Sequence, residues 1–168
     1  FLGAKTTLIG AIGKDEAGQI LVTELGKNPS ITFMPHIVTG SPTTLKTRYR
    51  AAGQQILRVD DEDTSPLAAD AVKAILIQVE TCLKSSPTVD VVVISDYAKG
   101  CLTPDIIQNI IALCKKAGIK TVADPKLADF SAYHGVDILT PNLSELRAAI
   151  NEKLTEIDEI VTVAHEFV

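Results

Sequence analysis

The chain has 168 residues, 46% of them hydrophobic, and a formal net charge of −5. That length and composition suit a globular chain with its own core, and the acidic balance argues against general affinity for nucleic acid or anionic membrane. No uninterrupted apolar run approaches the roughly 20 residues of a membrane helix, and the opening residues carry no basic leader, so no signal peptide is expected. Cys82, Cys101 and Cys114 are odd in number and form no C-x-x-C pair. This argues against a disulfide framework or a zinc site and fits a reducing, cytoplasmic setting, with Cys114 as a small core residue.

The run Thr7 to Ile12 is β-branched and apolar and reads as a strand. Asp15 can cap a helix through Leu25, with Gly26 as its stop. ITFMPHIV, after the turn Asn28-Pro29-Ser30, reads as extended. TTLKTRYRA and QQILRVD are two extended runs joined by Ala52-Gly53, a hairpin pattern. Alternation puts Lys46, Arg48 and Arg50 on one face and Leu45, Thr47 and Tyr49 on the other, and Arg58 comes from the second strand. From the pattern alone an edge hairpin that uses cations to deter aggregation is the first reading, and a flap that carries positive charge to an anionic ligand the second.

DDEDTSP is a charged connector, and Ser65-Pro66 has the form of a helix N-cap and first residue. The helix is expected to reach about Lys84 with Leu67, Ala71, Ala74, Ile75, Val79 and Leu83 along its apolar face. Three short apolar runs follow, Val89–Ser95, IKTVAD and Asp137–Thr140, separated by helical patterns. The first of these carries a stripe of Ile106, Ile107, Ile110, Ile111 and Cys114 and ends at Ala117-Gly118. Leu127 to Tyr133 reads as a short helical turn, a helix is expected from Leu143 to about Ile150, and Thr155–Asp158 has a capping pattern for a last helix. Strand–helix alternation of this kind predicts parallel βαβ units in an α/β fold, with helices on both faces. Each run ends in a polar cluster: SDYAKG, Asp124-Pro125-Lys126, and Thr140-Pro141-Asn142-Leu143-Ser144-Glu145. Ligands bind beyond the carboxyl ends of parallel strands, so Asp96, Lys99, Asp124, Lys126, Asn142 and Glu145 are expected along one rim.

Taken singly, these motifs have plain structural explanations. Asn142 and Glu145 have the spacing of a capping box, Asp124-Pro125 can end a strand, and Asp96 can cap a turn. His36, His134 and His165 sit in unrelated contexts, and neither a Walker phosphate loop nor a dinucleotide glycine fingerprint is present. Taken together, oxygen ligands, a lysine and a basic flap are what phosphoryl transfer asks for.

With these motifs the sequence resembles the ribokinase-like (PfkB-type) sugar kinases, and within them the D-glycero-β-D-manno-heptose 7-phosphate kinases, often the N-terminal half of a bifunctional ADP-heptose synthase. The resemblance runs from Gly3 to about Ala149. It rests on Gly3 and Gly13, GKDEAG, PTTLKTRYRA with QQILRVD, SDYAKG, ADPKLADFSAYHG and LTPNLSE. It implies a three-layer α/β/α fold with a mostly parallel sheet and a β-lid at about 42–61. ATP and Mg2+ are the implied cofactors, with transfer of the γ-phosphate to O1 of the heptose 7-phosphate for ADP-heptose and lipopolysaccharide core synthesis. Asn142 and Glu145 would organise magnesium and the ATP phosphates. Lys126 would lie near the transferring phosphate, and Asp124 near magnesium through water. Lys46, Arg48 and Arg58 would meet the sugar's 7-phosphate, and Asp96 and Lys99 would border the sugar pocket. The family's early Gly-Gly and Asn, and its Gly-Ala-Gly-Asp element with the catalytic Asp base, have no match in the chain. The chain is thus expected to be a part of one kinase domain, 1–168, cut at both ends and inactive alone, from a parent expected to be a homodimer.

Overall fold

A computed structural model describes residues 3–85, 89–127 and 129–150. The expected last helix, from Thr155, lies outside them. The chain divides into two compact units: Phe1–Thr88 with Lys99–Thr103, and Val89–Ala98 with Pro104–Val168.

The first unit opens with β1 (Thr6–Gly13), α1 (Glu16–Gly26) and β2 (Ile31–Val38). The two strands are parallel, in register from Thr6↔Ile31 to Gly13↔Val38, with α1 as the crossover. Hydrogen bonding thus links β1 to β2, and among the described strands not to the later ones. Asp15 caps α1 in an extended conformation, its Oδ1 accepting from Gly18 N at 2.8 Å. The same carboxylate accepts from Thr43 N at 2.6 Å and Thr43 Oγ at 2.7 Å, while Gly13 N donates to Thr43 Oγ at 2.8 Å. These bonds, the one from Thr43 N foremost, hold the Asp15 carboxyl below its usual range. A Cβ on Gly13 would lie 2.6 Å from Thr43 N, so the GKDEAG segment is packed around this knot. Gly26 is not the left-handed stop expected of it. It is the last helical residue, and Lys27 closes the helix in right-handed geometry, its N–H reaching Glu24 and Leu25 carbonyls.

β3 (Leu45–Ala51) and β4 (Gln54–Asp61) form the expected antiparallel hairpin. Ala52 and Gly53 both have positive φ, +49° and +79°, the two-residue turn whose hand matches strand twist. Register shifts between Tyr49 and Arg50, leaving Ile56 without an opposite residue. One face carries the cross-strand pairs Lys46↔Asp60 and Arg48↔Arg58, and the other carries Leu45, Tyr49, Leu57 and Val59, all exposed. α2 (Ala69–Leu83) packs Ala71, Ile75 and Val79 inward, on the expected stripe. Its start differs from expectation: Ser65-Pro66 does not begin the helix, and Ala68 caps it without a side-chain bond. Ser65 N is instead committed to Asp63 Oδ1 and Leu67 N to the Gly100 carbonyl, which keeps this segment extended. Gly100, at φ +75°, passes so close to the Ser65 carbonyl that a Cβ would overlap it.

The second unit is a three-stranded parallel sheet in the order β5 (Val91–Ser95), β6 (Lys120–Asp124), β7 (Ile138–Leu139). α3 (Pro104–Ala117) connects the first two and buries the five residues of its predicted stripe, Ile107 and Cys114 completely. Gly118 N and Ile119 N close it on the Lys115 and Cys114 carbonyls, a Schellman arrangement. The core continues through Ile94, Thr121, Ala123 and the 310 turn Phe130–Tyr133. The opposite sheet face, with Val91, Val93 and Ile138, is exposed. α4 (Leu143–Ile150) follows β7 and buries Leu146.

Asp137 locks β7 to β6. Its Oδ2 accepts from Thr121 N at 2.8 Å and Thr121 Oγ at 2.9 Å, and Oδ1 meets Lys120 Nζ at 2.6 Å. Lys120, then Thr121 N, pulls the carboxyl down to about 2 from an ordinary 3.8. A carboxylate with a depressed folded pKa contributes stability above its unfolded value and loses it as pH falls through the folded one. Asp137→Asn should therefore be less stable than wild type at pH 7, and the gap should close between pH 3.8 and about 2. Urea denaturation across that range checks this; a gap independent of pH would refute it.

Candidate active site

Parallel pairing brings the carboxyl ends of β5, β6 and β7 to one edge of the second unit. Asp96 N donates to the Asp124 carbonyl at 3.1 Å, and Thr140 N to the Ala123 carbonyl at 2.9 Å, so the three strand ends are tied side by side. The sequence-predicted residues Asp96, Asp124, Lys126, Asn142 and Glu145 all issue from this edge or from the start of α4.

Asn142 and Glu145 form a complete capping box. Asn142 Oδ1 accepts from Glu145 N at 3.0 Å, and Glu145 Oε2 accepts from Asn142 N at 2.9 Å. Capping leaves Glu145 Oε1 for Lys126 Nζ, 3.1 Å away. The Asn142 N–H first, and Lys126 after it, hold the Glu145 carboxyl below the usual range. Lys126, Leu127, Asn142, Ser144, Glu145 and Ala148 line a shallow cavity of about 150 Å3. The exposed Asp124 side chain has no hydrogen-bond or ion-pair partner among the described residues.

Asp96 is buried, 3% exposed. Its Oδ1 accepts from Ala98 N at 2.8 Å and its Oδ2 from the Tyr133 hydroxyl at 2.6 Å. The turn is tight enough to put Ala98 at φ +51°, an uncommon conformation for a residue with a side chain. Burial, then the bond to Asp96, pushes the Tyr133 hydroxyl up to about 12.

The other predicted residues, Lys46, Arg48, Arg58 and Lys99, belong to the first unit. Three of the four are paired. Lys46 Nζ lies 2.9 Å from Asp60 and 3.2 Å from Glu62, and Lys99 Nζ bonds Glu62. Arg58 Nε is 3.0 Å from Asp60 Oδ1, an ion-pair contact without hydrogen-bond alignment. Asp60, then Glu62, raises the Lys46 ammonium, and Lys99, then Lys46, lowers the Glu62 carboxyl. Arg48, opposite Arg58, is exposed and forms no ion pair among the described residues.

Sequence reasoning missed Asp60, Glu62 and Tyr133. The acidic residues were legible only as a charged connector, although Asp60 lies in the hairpin's second strand and Glu62 directly after it. Tyr133 was visible only as the end of a helical turn, and nothing in its spacing reveals what its hydroxyl reaches.

The architecture is that of a ribokinase-like α/β protein. Phosphofructokinase-2 from Escherichia coli superposes with a TM-score of 0.75 at 24% identity, covering 98% of this chain and 52% of that one. Ribokinase from Giardia lamblia gives 0.67 at 20% identity, covering 96% and 48%. The profile of the pfkB family carbohydrate kinases matches residues 1–168, and the chain belongs to that family. Curated relatives include the bifunctional protein HldE of Hyphomonas neptunium, 38% identical over 165 residues. That of Rhodopseudomonas palustris is 39% identical over 167 residues. Each alignment covers 98% of this chain, which spans about a third of the relatives' length, 33% and 34%.

The doubled role of Glu145 can be separated. Glu145→Gln keeps a side chain able to close the capping box but removes the charge facing Lys126, whereas Glu145→Ala removes both. Thermal melts should place the Gln variant nearer wild type than the Ala variant. Equal losses would mean that the ion pair, and not the cap, holds the start of α4.

Proposed function

We propose that the chain is part of one kinase domain, with residues 42–61 as its β-lid, that transfers the γ-phosphate of ATP to O1 of D-glycero-β-D-manno-heptose 7-phosphate. The product would feed ADP-heptose and lipopolysaccharide core synthesis in the cytoplasm, and the intact parent would be a homodimer. The observation that carries the reading is the joining of Lys126 to the Asn142–Glu145 box at the carboxyl edge of a parallel sheet. The similarity to bifunctional HldE proteins supports the choice of sugar.

The residues present fit a hard cation held through water. Asp124, Asn142 and Glu145 offer oxygen only, as magnesium prefers. Asn142 Oδ1 and both Glu145 oxygens are already engaged, which leaves the Asp124 carboxylate as the free donor. Magnesium bound there would neutralise charge on the ATP phosphates. In the transfer, the sugar O1 bonds to the γ-phosphorus, the bond to the β,γ-bridging oxygen breaks, and ADP leaves. The O1 proton passes to the Asp base of the family's Gly-Ala-Gly-Asp element, which no segment of residues 1–168 matches. Lys126 places a positive charge beside the transferring group, and Glu145 orients that ammonium. Arg48, without an ion pair among the described residues, is the first candidate for the 7-phosphate, with Lys46 and Arg58 beside it. Asp96 and Lys99 would border the sugar, Asp96 by shaping its turn.

ADP release by the intact parent, supplied with ATP and magnesium, should be faster with heptose 7-phosphate than with fructose 6-phosphate or ribose. Preference for either of the others would move the reading to another ribokinase-like kinase, and no turnover of any sugar would point to a non-catalytic binding module. Residues 1–168 alone should release no ADP, because none of them matches the Gly-Ala-Gly-Asp element.

Arg48→Ala in the parent should raise KM for the heptose phosphate about 10- to 100-fold, the worth of a charge-assisted contact, with KM for ATP unchanged. A shift in the ATP constant alone would put this arginine on the nucleotide.

A further inference from the structure

Tyr133 is among the most deeply buried side chains of the second unit, 1% exposed, yet its hydroxyl is fully used. It donates to Asp96 Oδ2 at 2.6 Å and accepts from Lys126 N at 3.1 Å and Leu127 N at 3.3 Å. A phenol oxygen has one proton to give and two acceptor positions, so all three are filled. The bonds run to two different strand ends: Asp96 follows β5, and Lys126 and Leu127 follow β6. Pro125, immediately before, is also fully buried and has no N–H to anchor its own peptide. The segment carrying Lys126 is therefore held at its backbone by Tyr133 and at its side-chain end by Glu145.

We propose that Tyr133 is a positioning residue for phosphoryl transfer: its hydroxyl braces the Lys126 and Leu127 peptides against the buried Asp96, and so fixes where the Lys126 ammonium stands. This rests on the kinase reading of the site. The ring itself fills core space beside Phe130 and Ala132, which phenylalanine would also do. The hydroxyl is the part whose partners, among the described residues, are the two rim segments.

Tyr133→Phe separates these roles, and two measurements decide between them. In residues 1–168, amide hydrogen exchange at Lys126 and Leu127 should rise about tenfold in the variant while α3 stays protected, because the two amides lose their acceptor. Unchanged exchange at these amides would overturn the brace. In the intact parent, with ATP and heptose 7-phosphate, kcat should fall about tenfold and KM for the sugar should stay within about twofold. The same substitution made in Lys126→Ala should then cost less than about twofold more, since Tyr133 acts through that lysine. Equal factors in both backgrounds would overturn the positioning role and leave a structural one. If the single variant unfolds, Tyr133→Phe with Asp96→Asn, which also removes the stranded charge, takes its place in the exchange measurement, where unchanged protection at Lys126 and Leu127 overturns the proposal. A wild-type parent inactive on heptose 7-phosphate but active on another sugar would overturn the substrate reading only, and the kinetic comparison is then made on that sugar.

Discussion

Parallel pairing of β5, β6 and β7 is the constraint on which the candidate site depends. Each strand must be returned to the same starting end, so α3 and the connection from β6 to β7 carry the chain from the carboxyl edge back to the amino edge. All three polar clusters then emerge together without any of them specifying the others. The register is fixed by side-chain alternation: Thr121 and Ala123 face the core while Lys120 and Asp124 do not. A slip of one residue would exchange these sets and turn the Asp124 carboxylate inward. Asp137, clasping Thr121 and Lys120, guards against that slip from the far end of the strands.

At the rim, groups that look available for chemistry are also structural. Glu145 spends one oxygen on the helix start and offers the other to Lys126. Asp96 spends both on an adjacent peptide and a buried phenol. Charged groups are expensive to bury without donors, and each oxygen of the buried Asp96 carboxylate has one. Among the described residues this accounting leaves the Asp124 carboxylate at the rim, and Arg48 and Arg50 on the hairpin, without a hydrogen-bond or ion-pair partner.

Much of this was readable from residue order. Ile106, Ile107, Ile110, Ile111 and Cys114 recur at helical spacing, and all five are buried. Ala52-Gly53 between two β-branched runs gave the hairpin, and the N-x-x-E spacing gave the capping box. What was hidden depended on partners distant in sequence. Ser65-Pro66 has the composition of a helix start, but Asp63 and Gly100 take its backbone first. The first apolar run was recognisable as a strand, yet alternation does not say which neighbour it bonds to, and β2 takes it. Lys46 and Lys99 looked free because their carboxylates lie 14 and 16 residues away for Lys46 and 37 for Lys99.

The pairing along the hairpin has a bearing on range. Lys99, Glu62, Lys46, Asp60 and Arg58 alternate in sign along one chain of contacts. Alternating charges cancel one another's field at a distance, and what survives is damped within about 8 Å at physiological ionic strength. Four cations stand against three carboxylates in residues 45–62, so little is left to draw an anion in from afar. Such a surface does not cast a wide electrostatic net. On the proposed reading, an anion would be selected there at contact, by whether it can displace carboxylates already seated and reach Arg48.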